Sequence, residues 1–122
     1  MKGSADVSEL NKIFKVSNIG DNFLWEPYVD ASKKECVRIS KSHRYSKLIY
    51  ENNADNKDMQ VLYELFLYIC SITELHVRKS FQTADMVIVT KVLEEYRRSV
   101  SNRLTSLCRK KENELPPHLG ER

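Results

Sequence analysis

Apolar residues recur at helical spacing through the second half of the chain, in two runs separated by a short polar stretch. Steps of three and four residues place each run on one face of a helix. The first run comprises Met59, Leu62, Leu65, Phe66, Ile69, Ile72 and His76, and the second comprises Val89, Val92, Leu93, Tyr96, Val100, Leu104 and Leu107. These runs predict two long helices, over residues 56–80 and 83–111, that form an antiparallel hairpin around which the rest of the chain packs.

The ends of both helices carry recognisable signals. Asn56 or Asp58 is suited to cap the first helix, and the hydroxyl of Thr83 is suited to cap the second. Two prolines, at 116 and 117, cannot continue the second helix. We therefore expect residues 113–122 to be flexible, together with the small polar residues 1–9.

A different pattern precedes the helices. Residues 23–29 and 36–40 are rich in aromatic and β-branched side chains and are joined by a polar loop, which predicts a β-hairpin over residues 23–41. Val37 and Ile39 alternate with Arg38 and Ser40, so the second strand should have one buried and one wet face. Pro27 cannot donate a ladder hydrogen bond, which puts its strand at a sheet edge or gives it a bulge.

Three shorter segments complete the chain. Ile13 and Phe14 suit either a short helical turn or the start of a strand, and residues 17–22 favour a turn. Residues 43–50 suit a short helix or an irregular turn. A small sheet followed by helices predicts a single α+β domain of 122 residues, with the β-hairpin or small sheet packed on the helical pair.

Composition narrows the class of protein. The chain is 41% hydrophobic and 30% charged with a net charge of +3, which is ordinary for a globular protein. Its three cysteines are an odd number and cannot all pair, which favours a reducing compartment. Without a leader-like N-terminus or an apolar run of about 18 residues, we expect a cytoplasmic protein with no membrane partner.

Positive charge is concentrated near the C-terminal end. On a helix, Arg98, Asn102, Thr105 and Arg109 fall near one stripe that suits a phosphate backbone. Cations there also complement the helix dipole, so a solvated surface is the simpler interpretation. The candidate nucleic-acid-binding residues are Arg97, Arg98, Arg103, Arg109, Lys110 and Lys111.

Catalytic and metal-binding patterns are weak. Cys36 with His43, and Cys70 with His76, pair the residue types of zinc sites, but the paired ligands typical of structural zinc are missing. No glycine-flanked nucleophile accompanies Cys36 and His43. We therefore predict a protein that is not an enzyme and that binds no metal or cofactor.

Aromatic residues surround the first predicted helix, which indicates burial on two sides. The small sheet would cover one side, and a second protomer or another protein the other. The candidate interface residues are Tyr63, Phe66, Tyr68 and Tyr96.

The order of motifs in residues 25–76 resembles that of a known protein family. Trp25 on a predicted strand precedes a string with Val37, Ile39, His43 and Tyr45, and a leucine-rich helix follows. This order is similar to the C-terminal part of bacterial and phage ATP-binding proteins of the GHKL superfamily (gyrase, chaperone, histidine kinase, MutL), in the branch related to microrchidia ATPases. Ser40 and Arg44 depart from the family's Asn and Pro.

The resemblance implies a detached C-terminal module, because the superfamily's ATP site needs glycine-rich loops and this chain has glycines only at 3, 20 and 120. The function expected from the sequence is thus a non-catalytic assembly module that self-associates or docks on an ATPase of a DNA-acting system. The alternative is a small nucleic-acid-binding protein that uses the basic face of the last helix.

Overall fold

The computed structural model describes residues 12–114, with side chains described for residues 12–110. Its elements are β1 (Ile13–Val16), a 3-10 turn (Gly20–Asn22), β2 (Trp25–Val29), β3 (Glu35–Ser40), α1 (Arg44–Tyr50), α2 (Lys57–Lys79) and α3 (Thr83–Glu114). A small N-terminal sheet is thus followed by long helices, which confirms the predicted α+β class. The segments predicted to be flexible, 1–9 and 113–122, lie outside the described residues except for residues 113 and 114, whose backbone continues α3.

The sheet has three strands in the order β1-β3-β2. β2 and β3 form the predicted antiparallel hairpin, with Trp25 opposite Ile39 and Pro27 opposite Val37. Pro27 lies on an edge strand, as its missing N–H requires. The ambiguous segment around Ile13 is a strand, and it pairs with β3 in parallel.

Both turns contain residues in the left-handed region, and the one in the hairpin loop is Lys33 with a φ of 68°. Asp21 and Asn22 have φ values of 60° and 62° in the 3-10 turn that leads into β2. In the hairpin loop, the Asp30 side chain accepts a hydrogen bond from the Lys34 amide at 2.8 Å. Short polar side chains of this kind stabilise turns locally, as the sequence predicted.

The core lies between the sheet and α2. Val37 and Ile39 are completely buried, and Leu24, Trp25 and Leu67 are nearly so. Ser40 was predicted to be wet but is 2% exposed. It tolerates burial because its hydroxyl lies 3.3 Å from the Ser42 hydroxyl and bonds to it.

Helix starts agree with the sequence in part. Asn56 caps α2, and its side chain accepts from the Met59 amide at 3.0 Å. α3 begins at Thr83 itself, and the carbonyl of Gln82 accepts from the Met86 amide at 2.8 Å. Gln82 therefore takes the N-cap position predicted for Thr83.

α2 and α3 run antiparallel, joined by residues 80–82. Glu74, near the end of α2, pairs with Arg97. Leu104, further along α3, packs near the first half of α2 on the cluster that contains Tyr63 and Leu67. The last helix is also held by α1 and the 3-10 turn, through contacts of Ser101 and Thr105 described below.

Candidate association groove between the two long helices

An open apolar groove separates α2 from α3. It has a volume of about 1120 Å³, and Leu24, Trp25, Tyr63 and Leu67 belong to its lining. Met59, Leu62, Phe66, Ile69, Cys70 and Val77 of α2 and Leu93, Tyr96, Val100 and Leu104 of α3 also line it. Such a surface suits an apolar partner rather than a polar substrate, because it offers few hydrogen-bonding groups.

The rims of this groove carry large apolar side chains in water. Leu62 is 67% exposed, Phe66 66%, Ile69 53% and Tyr96 64%. Val92 and Ile88, about one and two turns before Tyr96 on α3 and outside the groove lining, are 61% and 63% exposed. Scattered exposed apolar residues are common on monomers, whereas contiguous exposed apolar patches are typical of interaction sites.

α2 turns its most regular apolar stripe away from the core. The sequence placed Leu62, Phe66 and Ile69 on the face that builds the core, whereas the structure exposes all three. The buried positions of α2 are Tyr63, Glu64, Leu67, Tyr68, Ser71, Glu74 and Leu75. Polar residues are thus mixed into the buried face, and the purely apolar stripe borders the groove.

α3 shows the same reversal more strongly. In the described part of this helix the buried residues are Arg97, Ser101, Thr105 and Cys108. The predicted core stripe of Val89, Leu93, Val100 and Leu104 is only half-buried, and Val92, Tyr96 and Leu107 are exposed. The fully buried side chains of α3 are therefore mainly polar, and its apolar stripe is only partly covered.

A buried ion pair lies at the base of the groove. The Glu74 carboxylate accepts from the Trp25 indole N–H at 2.9 Å and from the Arg97 Nε–H at 3.3 Å. Burial raises the pKa of Glu74, and the Arg97 charge opposes that rise. Arg97 also lies over the Phe23 ring, 4.8 Å from its centroid. This cluster joins β2, α2 and α3, so the polar atoms of Glu74 and Arg97 bind partners within the fold.

His43 occupies a second buried polar cluster. Its Nδ1 accepts from the Tyr45 amide at 3.0 Å, and its Nε2 lies 2.9 Å from the Ser101 carbonyl and 3.1 Å from the Thr105 hydroxyl. The ring is therefore neutral with its proton on Nε2, which donates to Ser101, and burial lowers its pKa. His43 is 3% exposed, so it holds α1 to α3 rather than meeting a substrate.

Residues with short polar side chains complete this attachment. The Ser101 hydroxyl accepts from the Leu24 amide at 2.8 Å, and the Thr105 hydroxyl accepts from the Asn22 side chain at 3.0 Å. The sequence-based predictions did not single out Ser101 and assigned Thr105 to the phosphate stripe, although Ser101, Thr105 and Cys108 recur at three- and four-residue steps. This spacing places the three residues on one face and could have predicted the buried face of α3.

The predicted nucleic-acid-binding residues do not form one surface. Arg97 is buried in the ion pair, and Arg98 is bonded to Asp21, Glu94 and Glu95. Thr105, in the predicted phosphate-tracking stripe, faces His43. Arg103, Arg109 and Lys110 are exposed, and the side chain of Lys111 lies outside the described part.

The predicted interface residues separate into two pairs. Tyr63 and Tyr68 are 8% and 7% exposed and belong to the core, where the Tyr63 hydroxyl lies 2.6 Å from that of Ser46. Phe66 of α2 and Tyr96 of α3 both line the open groove and are more than half exposed. Only this second pair is exposed for association.

The residues that carry the family resemblance lie close together. Trp25 and Ile39 are paired across β2 and β3, His43 precedes α1, and the Tyr45 ring packs 5.7 Å from the Tyr63 ring. All four positions therefore serve the packing of the sheet and α1 against the long helices.

Metal-binding and redox features are sparse in the part of the chain that the structure describes. Within it, no three His, Cys, Asp or Glu side chains are grouped to hold a metal ion. None of Cys36, Cys70 and Cys108 is in a disulfide, and burial raises the pKa of Cys36 and Cys70. None of the helices described has both the length and the apolar character needed to cross a membrane.

Comparison of the chain with protein-family models, with curated proteins and with solved structures finds no match. The functional interpretation is therefore based on the α+β fold and the open apolar groove.

Proposed function

We propose that this protein is a non-catalytic assembly module that associates with a second copy of itself through the groove between α2 and α3. The single observation that supports this most directly is the reversal of the helix faces. Both long helices pack on their own domain through faces rich in polar residues and leave apolar stripes in water. A stable helix normally buries its apolar stripe, so a partner must cover these two.

The exposed area is large enough for an interface. Six apolar residues of the two stripes are each more than half exposed: Leu62, Phe66, Ile69, Ile88, Val92 and Tyr96. With roughly 150–200 Å² for a large side chain, the exposed part of these six residues amounts to an area on the order of 600 Å². The other residues of the groove lining add to this area. Typical monomers reach about 300–600 Å² in their largest apolar patch, and stable interfaces bury about 800 Å² per partner.

The groove's surroundings support a protein partner over a nucleic acid. Arg97 and Arg98, the two arginines nearest to the groove's Tyr96, already bind carboxylates of the same chain. A nucleic acid needs several free cations along one path, because each neutralised phosphate contributes to affinity. Docking on an ATPase, which the family resemblance implies, would use the same apolar stripes.

Sedimentation equilibrium of the wild-type protein and of Phe66→Ser tests the proposal. Burying a Phe side chain contributes about 1.5–3 kcal/mol. A two-fold dimer loses that contribution twice, so the dissociation constant should rise by about 100-fold or more. The matched control is Phe14→Ser, whose ring is 39% exposed on β1 and packs on Tyr28 away from the groove.

We expect the wild type and Phe14→Ser to be dimeric and Phe66→Ser to be monomeric at the same concentration. Far-UV circular dichroism of each variant checks that it remains folded. The same runs include a labelled DNA duplex at two salt concentrations. A wild-type monomer would overturn self-association, and duplex affinity that falls steeply with salt would favour the nucleic-acid alternative.

A further inference from the structure

The first half of α3 contains no fully buried side chain. Among the described residues of this helix, none between positions 83 and 96 is buried. This half nevertheless carries Val87, Ile88, Val92 and Tyr96, each at least 59% exposed. Ile88, Val92 and Tyr96 follow at four-residue steps and form one stripe along the helix. An apolar helix segment that its own domain leaves uncovered is suited to insert elsewhere.

A matching apolar stripe lies on α2. Leu62, Phe66 and Ile69 line the groove, whereas Ile88 and Val92 lie outside the lining of their own chain's groove. At 1.5 Å per residue, the α2 stripe is about 10.5 Å long and the α3 stripe about 12 Å. The two stripes are thus of similar length, and neither contains a charged residue.

We infer that the α3 stripe of one copy packs on the α2 stripe of a second copy, and that the reciprocal contact forms at the same time. This inference rests on the proposed function, which it makes specific by naming the segment that fills the groove. Two copies related by a two-fold axis exchange identical contacts, which closes the assembly as a dimer. Exposed charged residues beside the α3 stripe, such as Asp85, Lys91 and Glu95, would form the polar rim typical of interfaces.

Two valines of the same helix half provide a matched test. Val92 lies in the stripe and is 61% exposed, whereas Val87 is 59% exposed and lies about 140° around the helix from it. Substituting either valine by glutamate has the same cost in helix propensity. We expect Val92→Glu to weaken the dimer by at least 100-fold in sedimentation equilibrium, because it buries a charge in both symmetric contacts. Val87→Glu should change the dissociation constant by less than threefold.

Complementary charges test the pairing itself. Val92→Lys alone and Phe66→Glu alone should each be monomeric. Mixed in equal amounts, they should form a heterodimer in which one contact joins Lys to Glu and the other joins the unaltered Val92 to Phe66. A tag on one variant lets size-exclusion chromatography with light scattering identify that species.

The outcomes separate this inference from the function on which it rests. If the wild type is dimeric and Phe66→Ser breaks the dimer but Val92→Glu does not, association through the groove stands and the α3 stripe is not its occupant. Equal effects of Val92→Glu and Val87→Glu, or a mixture that stays monomeric, would also overturn the inference. A wild-type monomer at all concentrations would overturn both proposals.

Discussion

Removing the Arg97 guanidinium should destabilise the protein far more than removing another arginine of the same helix. Arg97 is 9% exposed, and its Nε lies 3.3 Å from both carboxylate oxygens of Glu74, which is 7% exposed. In Arg97→Leu the Glu74 carboxylate would keep only the Trp25 indole as a partner. Breaking a buried ion pair on one side costs about 3–5 kcal/mol, because the remaining charge is desolvated without compensation. A domain of this size has a total unfolding free energy of about 5–15 kcal/mol, so the loss should be large but measurable.

The loss of unfolding free energy in Arg97→Leu should increase as pH rises. Burial already raises the pKa of Glu74, and removal of Arg97 takes away the charge that opposes this rise. In the variant, the folded state therefore binds a proton at a pH where the unfolded carboxyl is ionised. Unfolding then releases that proton, so the variant's stability decreases as pH rises above the unfolded value of about 4.5. The difference from wild type should be greatest near pH 8 and smaller near pH 5.

Urea unfolding followed by far-UV circular dichroism at pH 5, 6.5 and 8 measures both effects. Arg103→Leu is the matched control, since Arg103 is exposed and contacts the Ser99 hydroxyl at 3.3 Å. It should change the unfolding free energy by less than about 0.5 kcal/mol. If Arg97→Leu does not fold, Arg97→Lys retains a charge and should show a smaller loss. Equal losses for Arg97→Leu and Arg103→Leu, or a loss independent of pH, would refute the reasoning.

Two further predictions concern the attachment of α3. Burial lowers the pKa of His43, so the neutral ring stabilises the folded state fully above the unfolded pKa of about 6.5, and this stabilisation decreases as pH falls below that value. Urea midpoints measured from pH 8 to 5 should therefore fall less steeply for His43→Gln than for the wild type. Parallel curves would contradict this assignment. Ser101→Ala removes the acceptor of the buried Leu24 amide and should lower the unfolding free energy by about 1–3 kcal/mol. The control is Ser99→Ala, on the exposed face two residues away, which should lower it by less than about 0.5 kcal/mol in the same urea titrations.

Local signals in the sequence were sufficient for most of the fold. The β-hairpin followed from β-branched and aromatic residues on both sides of a polar loop, and Pro27 marked the edge strand. Asn56 was one of two candidate caps, with Asp58, because both side chains accept well from free backbone amides. Each of these features is determined by neighbours in sequence, so no tertiary contact was needed to predict it.

The burial of the helix faces could not be predicted in this way. Apolar periodicity shows that Leu62, Phe66 and Ile69 share a face, but it does not show which surface covers that face. The same limit applies to the basic stretch in part. Glu94 and Glu95, two of the carboxylates that bind Arg98, are close in sequence, but Glu74, which binds Arg97, and Asp21, which also binds Arg98, are distant. His43 likewise finds its partners on α3, 58 and 62 residues later in the chain.

The attachment of the last helix has a consequence for how the chain folds. Leu24 and Asn22 depend on Ser101 and Thr105, which follow them by 77 and 83 residues. Contacts between such distant residues close large loops, so they form late and slow the folding of a small domain. During synthesis, the sheet and α2 can pair as soon as they emerge, but the Leu24 amide has no acceptor until position 101 has left the ribosome. Until then the sheet lacks the cover that the second half of α3 provides, which makes this stage of synthesis the period of greatest exposure to aggregation.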